Sequence, residues 1–416
     1  MEEENKLLTL PVHTALGKGV GTNPGRVVWS YSPEAVKWDG SGFWWKKENF
    51  QEKKIMEMVR NSIRNLSGKP GIKDGWEELF RYINRRKTSE DRGYAKGEKI
   101  AIKVNMNGAG GYDWDKDGVT KLGFINPILL KCILSSLVCD AEIPPENITV
   151  YDASRIFPEF MLKMLGEGVL AGIHVLFRDA KGTHNARPDQ KKPVRWSAEF
   201  EGEVNYLPEC VSDAAYVINM ANLKAHPYGV TLCAKNHFGT IMNNNRYRPP
   251  EGANIHQFME NQKMGQYTVL TDLIANKDLY EKTVLYLLDG LICAYNVDSE
   301  ITKKSALWRQ PPFDGNFTSS IFMSQDPVAI DSVGIDFLAN EPVICEYNPP
   351  LRDNYGVENY LHEAALAPNP PSGTHYQNGS DQLVKSLGVH EHWNNVRDKQ
   401  YGRNLGKEDG IELIQI

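Results

Sequence analysis

Short apolar runs of strand length, separated by stretches of helical period, recur down the chain and constrain its fold more than any other feature. The runs are Ile100–Asn105, Asn147–Asp152, Ile173–Asp179, Ala215–Asn219, Thr283–Gly290 and Ser319–Ser324. Between them, Asn126 and Pro127 open an apolar helix reaching Val138, with a capping amide and a proline suited to the first helical position. A second helix is expected from Val328 to Leu338. Strands alternating with helices predict a layered α/β fold, with a mainly parallel sheet and helices on both faces. Residues 1–95, with amphipathic segments at Met56–Leu66 and Gly75–Asn84, read as a helical cap on a core at 96–345. Residues 346–416, rich in Pro, Gly and Asn, read as a long irregular tail wrapped on the same structural unit.

Several partner classes are excluded early. Lys+Arg 47 against Asp+Glu 53 gives a net charge of −6 without a basic stripe, so nucleic acid is not an expected partner. No apolar run approaches the ~18 residues of a membrane helix. The opening Met1-Glu-Glu-Glu-Asn-Lys6 is not a secretory leader. A cytoplasmic protein is expected as given, and an exported or periplasmic one where a leader has been removed. Six cysteines are scattered without C-x-x-C spacing, which argues against an iron–sulfur cluster or a zinc ribbon. Cys132 and Cys139 read as core thiols on one helix face. Gly108-Ala-Gly110-Gly111 lacks the third glycine of a dinucleotide fingerprint, and no phosphate loop or Gly-x-Ser-x-Gly elbow occurs.

The strand ends carry the chemistry. Lys103, Asn105 and Asn107 alternate onto one face, and the next strand ends at Asp152-Ala-Ser154-Arg155. Asn219 is followed by Asn222, Lys224 and His226, and other strands end at Asp289-Gly290 and Ser324-Gln-Asp326. In open α/β sheets, ligands are gathered at the carboxyl ends of the strands. Each residue also has a structural reading, because an aspartate closing a strand commonly forms a turn or caps a helix.

Lys224-x-His226-x-x-Gly229-x-Thr231-x-x-x-Lys235-Asn236-x-x-Gly239 resembles the signature of the "domain of unknown function 362" family. Further segments are similar to its full-length bacterial branch, among them Pro24–Trp29, Ile100–Asn107, Leu285–Gly290, Ser324–Ser332 and Leu387–Trp393. The ferredoxin-like cysteine runs of other branches are absent here, so electron transfer is not implied. The resemblance implies a fold and a site position, but no settled reaction.

The residues predict a Lys/His/Asn/Asp cleft acting on a small anionic or saccharide-like substrate. Hydrolase, lyase or isomerase chemistry fits, acid–base or metal-assisted. Lys235, His226 and Lys224 are the candidate catalytic groups: a desolvated lysine becomes a base or a covalent amine, and imidazole titrates near neutrality. Lys103, Asn105, Asn107, Asp152, Asn219, Asn236 and Asp289 are candidates for holding substrate. Trp29, Trp38, Trp44 and Trp45 could stack on a sugar, or simply fill core. The rival reading is a non-catalytic metal- or anion-binding scaffold. A divalent cation is conceivable on Asp152, Asp289 and Asp326, with Asp331 nearby in sequence. Asp113, Asp115 and Asp117 copy the first half of a calcium loop, but Phe124 stands where its bidentate glutamate belongs, so weak binding is expected. His390-Glu391-His392, if extended, points both imidazoles one way, with His362 or His375 in a position to join; a polar tail packed on the body is the alternative.

Overall fold

A computed structural model describes residues 13–109, 120–179, 182–198, 204–243, 255–259, 262–353, 356–380, 383–395 and 397–416. Eight strands form the central sheet: β1 (Arg26–Tyr31), β2 (Ile100–Val104), β3 (Ile148–Asp152), β4 (His174–Phe177), β5 (Tyr216–Asn222), β6 (Thr283–Gly290), β7 (Ser320–Ser324) and β8 (Glu412–Gln415). Their order across the sheet is β8-β1-β7-β6-β5-β2-β3-β4. All neighbours pair in parallel except β7, which is antiparallel to both β6 and β1. The mainly parallel α/β architecture expected from the alternation is therefore present.

The chain progresses outward from β2 through β3 to β4, then returns to the other side of β2 with β5 and β6. The strand order thus reverses between β2 and β5, which opens a crevice at their carboxyl ends. That reversal is what positions the site.

Helices cover both faces. On one lie α1 (Glu52–Ser67), α2 (Ile72–Thr88) and α3 (Pro127–Cys139), whose Ile55, Leu79 and Ile133 pack against Ile102, Ile218 and Leu285. The other face receives the short α4 (Cys233–Asn236), α5 (Val269–Ala275), α6 (Pro327–Ala339) and α7 (Asn359–Ala365), packed against Val217, Ala221 and Leu288. Alternation along β5 divides Ile218 and Met220 from Val217 and Ala221 in this way. Asn126 caps α3 as its sequence suggests, accepting from the backbone N–H groups of Ile128 and Leu129, and such a cap is worth about 1 kcal/mol. Cys132 is buried, but Cys139 is exposed at the end of the helix, so only the first is a core thiol.

The ends of the chain are more deeply integrated than a cap and a tail. β1 comes from the first hundred residues and β8 from the last few, and they pair with each other at the sheet edge. No helix among the described residues is long and apolar enough to cross a membrane.

Candidate active site

β5 runs into a hairpin in which Lys224–His226 pairs with Gly229–Thr231. Gly229 sits at φ +118, and a Cβ there would lie 2.9 Å from Val357, so the turn demands glycine. The hairpin leads into α4, which presents Lys235 and Asn236. Asp331 on α6 fixes that helix by accepting from the N–H groups of Cys233 (2.8 Å) and Ala234 (3.0 Å). The aspartate weighed as a metal ligand is thus a helix cap.

A cavity of about 290 Å³ opens at the reversal point, lined by Lys103, Asn105, Asn107, Asp152, Arg155, His226, Thr231, Lys235 and His256 among others. It has room for a small molecule, on the order of ten waters.

Lys103 is fully buried and donates to Val104 O (2.5 Å), Asp152 Oδ2 (3.2 Å) and Asn236 Oδ1 (3.2 Å). Asp152 also accepts from the N–H groups of Met106 (3.0 Å) and Ser154 (3.0 Å). Burial alone would raise its pKa. The charges of Lys103 and Arg155 and these backbone donors outweigh burial and hold the carboxyl below its ordinary value. Arg155 clamps Asn107 Oδ1 through Nε (2.9 Å) and Nη2 (2.6 Å), and burial lowers its pKa to about 10.

Lys235 is in a different state. Its Nζ lies 3.0 Å from His256 Nε2 and 3.8 Å from the centre of the Phe238 ring. Burial, then repulsion from Arg155 and Lys224, pushes its pKa well below the ordinary lysine value. His226 accepts the Tyr228 N–H at Nδ1 (3.1 Å), which leaves the ring proton on Nε2. Burial above all lowers the pKa of His226 well below its ordinary value and that of His256 to about 3. Thr231 Oγ1 is buried on the cavity wall and has no hydrogen-bond partner among the described residues. A buried orphan hydroxyl is uncommon in folded proteins.

Lys103, Asn105, Asn107, Asp152, His226, Lys235 and Asn236 line one cleft. Others lie behind it. Lys224 donates to Asn105 Oδ1 (3.1 Å) and Gly123 O (3.1 Å), and burial lowers its pKa to about 7. Asn219 anchors the α4 segment by donating to Cys233 O (2.9 Å) and accepting from Asn236 Nδ2 (2.8 Å). Asp289 accepts from the N–H groups of Asn126 (2.7 Å) and Leu291 (3.2 Å) and does not line the cavity. These are supports, with their polar atoms turned to the protein.

The aspartate metal site needs correction. β7 runs against its neighbours, with Ser324 opposite Tyr286 and Ser320 opposite Gly290, so Asp326 follows a strand that ends at the opposite edge of the sheet from Asp289. There it caps α6, accepting from Val328 and Ala329. Among the described residues, three or more metal donors converge only around His13, Glu358, His362, His390 and His392. Asp113, Asp115 and Asp117 lie outside the described residues. Trp29, Trp38 and Trp44 are buried in the hydrophobic cores, and Trp45 stacks on Phe160 with ring centres 4.4 Å apart, so none is offered to a sugar in the cavity.

Arg155 belongs to the polar strand end after Asp152 but carries no assigned role in the sequence, whereas His256 follows no strand and carries no signal there.

Gly239 packs so closely that a Cβ would stand 2.7 Å from Asp152 Oδ1 and 2.8 Å from Lys103 Nζ. Gly239→Ala is expected to cost about 1–3 kcal/mol by overpacking, read as a lower denaturation midpoint at unchanged m-value. A variant as stable as wild type would show that the pair moves aside freely.

No curated protein matches the chain. The family profile described as "Domain of unknown function (DUF362)" matches residues 100–336. That segment is more than half of the chain and contains every residue lining the cavity; the protein belongs to the DUF362 family.

Proposed function

We propose that the protein is an enzyme that binds a small anionic substrate in this cavity and moves a proton on it. The observation that carries the reading is the set of nitrogen and hydroxyl donors on the wall. Among the described residues, Lys103, Arg155, Lys235 and Thr231 line it together with Asp152, which is bonded to Lys103. Asp298 adds attraction toward Arg155 and Lys224 from nearby. A carboxylate or phosphate on the substrate would accept hydrogen bonds from Arg155 and from the hydroxyl of Thr231. Lys235, held as a neutral amine, would then accept a proton from the carbon or hydroxyl beside that group, with His256 orienting its Nζ. Isomerase or lyase chemistry beside a carboxylate fits these parts best.

The test is a thermal-shift survey of small hydroxy acids, keto acids and sugar phosphates, with the matching neutral polyols as controls. Acids should raise Tm and polyols should not. Arg155→Gln should weaken binding by roughly ten- to hundredfold, the effect of losing a hydrogen bond to a charged group. Equal stabilisation by neutral polyols would overturn the anionic reading. An acid that binds but is recovered unchanged, with no proton exchanged for deuterium, would assign the cavity to binding alone.

A further inference from the structure

A second group of titratable side chains shares no residue with the cavity. The short strand Val389–His390 pairs antiparallel with Leu16–Gly17, placing His390 opposite Leu16 and bringing His13 alongside. His392 follows two residues later. Glu358 is the N-cap of α7, and His362 lies one turn further on the same helix face. The donor atoms of His13, His390 and His392 all lie within 4.8 Å of one another, and so do those of Glu358, His362 and His390. His375 is exposed and outside the group.

The ring protons can be placed. Ser332 Oγ donates to Val328 O (2.7 Å), so it accepts from His390 Nδ1 (2.8 Å) and leaves a lone pair on His390 Nε2. His13 Nδ1 donates to Thr14 O (2.7 Å), which leaves a lone pair on its Nε2 as well. These two Nε2 atoms stand 3.3 Å apart. In neutral rings, two lone pairs at that distance repel unless a cation lies between them. Ligand atoms around a tetrahedral ion with bonds of ~2.1 Å are themselves about 3.4 Å apart.

Supports of the kind found behind metal ligands are also present. His392 Nδ1 lies 2.6 Å from Asp336 Oδ1, and Asp336 is itself held by Trp393 N–H (3.1 Å) and Tyr401 O–H (2.8 Å). A carboxylate that orients a ligating histidine through its far nitrogen is a recurrent feature of metal sites. Ser332 and Asp336 are four residues apart on α6, and so support His390 and His392 from one helix face. His362 Nε2 is buried without a hydrogen-bond partner among the described residues. A protonated His392 between Asp336 and Glu358 would account for that ring alone. It leaves the facing His13 and His390 nitrogens and the orphan His362 unexplained.

We propose that His13, His390 and His392, with Glu358 or His362 completing the shell, bind a first-row divalent cation of the zinc class. Imidazole and carboxylate donors without thiolate suit Zn²⁺, Co²⁺ and Ni²⁺. The 2.6 Å contact between His392 Nε2 and Glu358 Oε2 opens when both atoms turn to the ion. Bound there, the ion ties the N-terminal stretch and the tail to α6. All five candidate ligands lie outside the segment matched to the family, whereas Ser332 and Asp336 lie within it.

The experiment uses full-length protein without a histidine tag, stripped with a chelator and then titrated with Co²⁺ and Zn²⁺. Expected are one equivalent of Co²⁺ with the visible absorption of a four-coordinate ion, its displacement by Zn²⁺, and a rise in Tm. His13→Gln, at the half-buried rim, should lose about tenfold or more in metal affinity. Asp336→Asn should lose a comparable factor through orientation alone. His362→Gln tests the fourth position, and Lys235→Met should bind metal as wild type does. Folded protein that takes up no equivalent of Co²⁺ overturns the proposal. So does uptake unchanged in both His13→Gln and Asp336→Asn, even if one of those variants proves unstable.

Discussion

Asp152→Ala is expected to lower stability by about 3–5 kcal/mol, the usual cost of leaving one partner of a buried ion pair uncompensated. Both side chains are almost wholly buried, Lys103 at 1% and Asp152 at 4% exposure, so solvent screens the pair only weakly. The substitution also orphans the Met106 and Ser154 N–H groups that Asp152 accepts. Because its carboxyl is held below the ordinary value, the contribution is present above about pH 4 and is lost as pH falls through the folded value. The double variant Lys103→Met/Asp152→Leu removes both charges and should recover part of the loss. Denaturation midpoints at constant m-value supply the measurement. An Asp152→Ala protein within about 1 kcal/mol of wild type would mean that Lys103 gives up its proton readily and that the pair contributes little.

The position of this site was legible for a physical reason. Parallel strands of one sheet end on one edge, so residues such as Lys103, Asp152 and the hairpin after Asn219 must approach one another once the apolar runs are recognised as strands. Which of those residues faces the cavity was not legible. Asn219 reads as a ligand group, yet it bonds Asn236 and the α4 backbone, because a short helix laid on a sheet leaves polar backbone groups that some side chain must satisfy. Asp289 is claimed in the same way by Asn126 N–H.

Strand direction was the other hidden variable. Nothing local to Ser319–Ser324 says that β7 runs against β6; only the path of the preceding residues decides it, and the decision carried Asp326 to the far edge. β1 and β8 escaped for a related reason. Arg26–Tyr31 and Glu412–Gln415 are brief, lie in stretches whose helices or loops dominate the pattern, and become strands through each other and β7. The histidines at 13, 362, 390 and 392 show the same limit. The pair at 390 and 392 is visible as a spacing, but the two-residue strand pairing that adds His13 exists only in the folded chain.

Lys235→Met should abolish the effect of anionic ligands while leaving the fold as stable as wild type, or slightly more so. The contrast with Asp152 rests on partners. Lys235 meets His256 and the face of Phe238, and no ion pair to it is present among the described residues. Methionine fills a similar length without a charge to desolvate. The pH dependence gives an independent reading. With its folded pKa pushed well below the ordinary 10.5, Lys235 binds its proton less tightly in the folded chain than in the unfolded one. Folded stability therefore rises as pH climbs toward that ordinary value, by up to about 1.4 kcal/mol per pH unit for each such group. Lys224, lowered to about 7, contributes in the same direction from neutral pH upward. Lys235→Met should keep the Lys224 share of this slope and lose its own. Denaturation from about pH 7 to about pH 9 compares the two proteins. A variant that unfolds several degrees early, or one with the wild-type slope, would show Lys235 to be a charged structural group and would remove the neutral amine on which the proton-transfer reading depends.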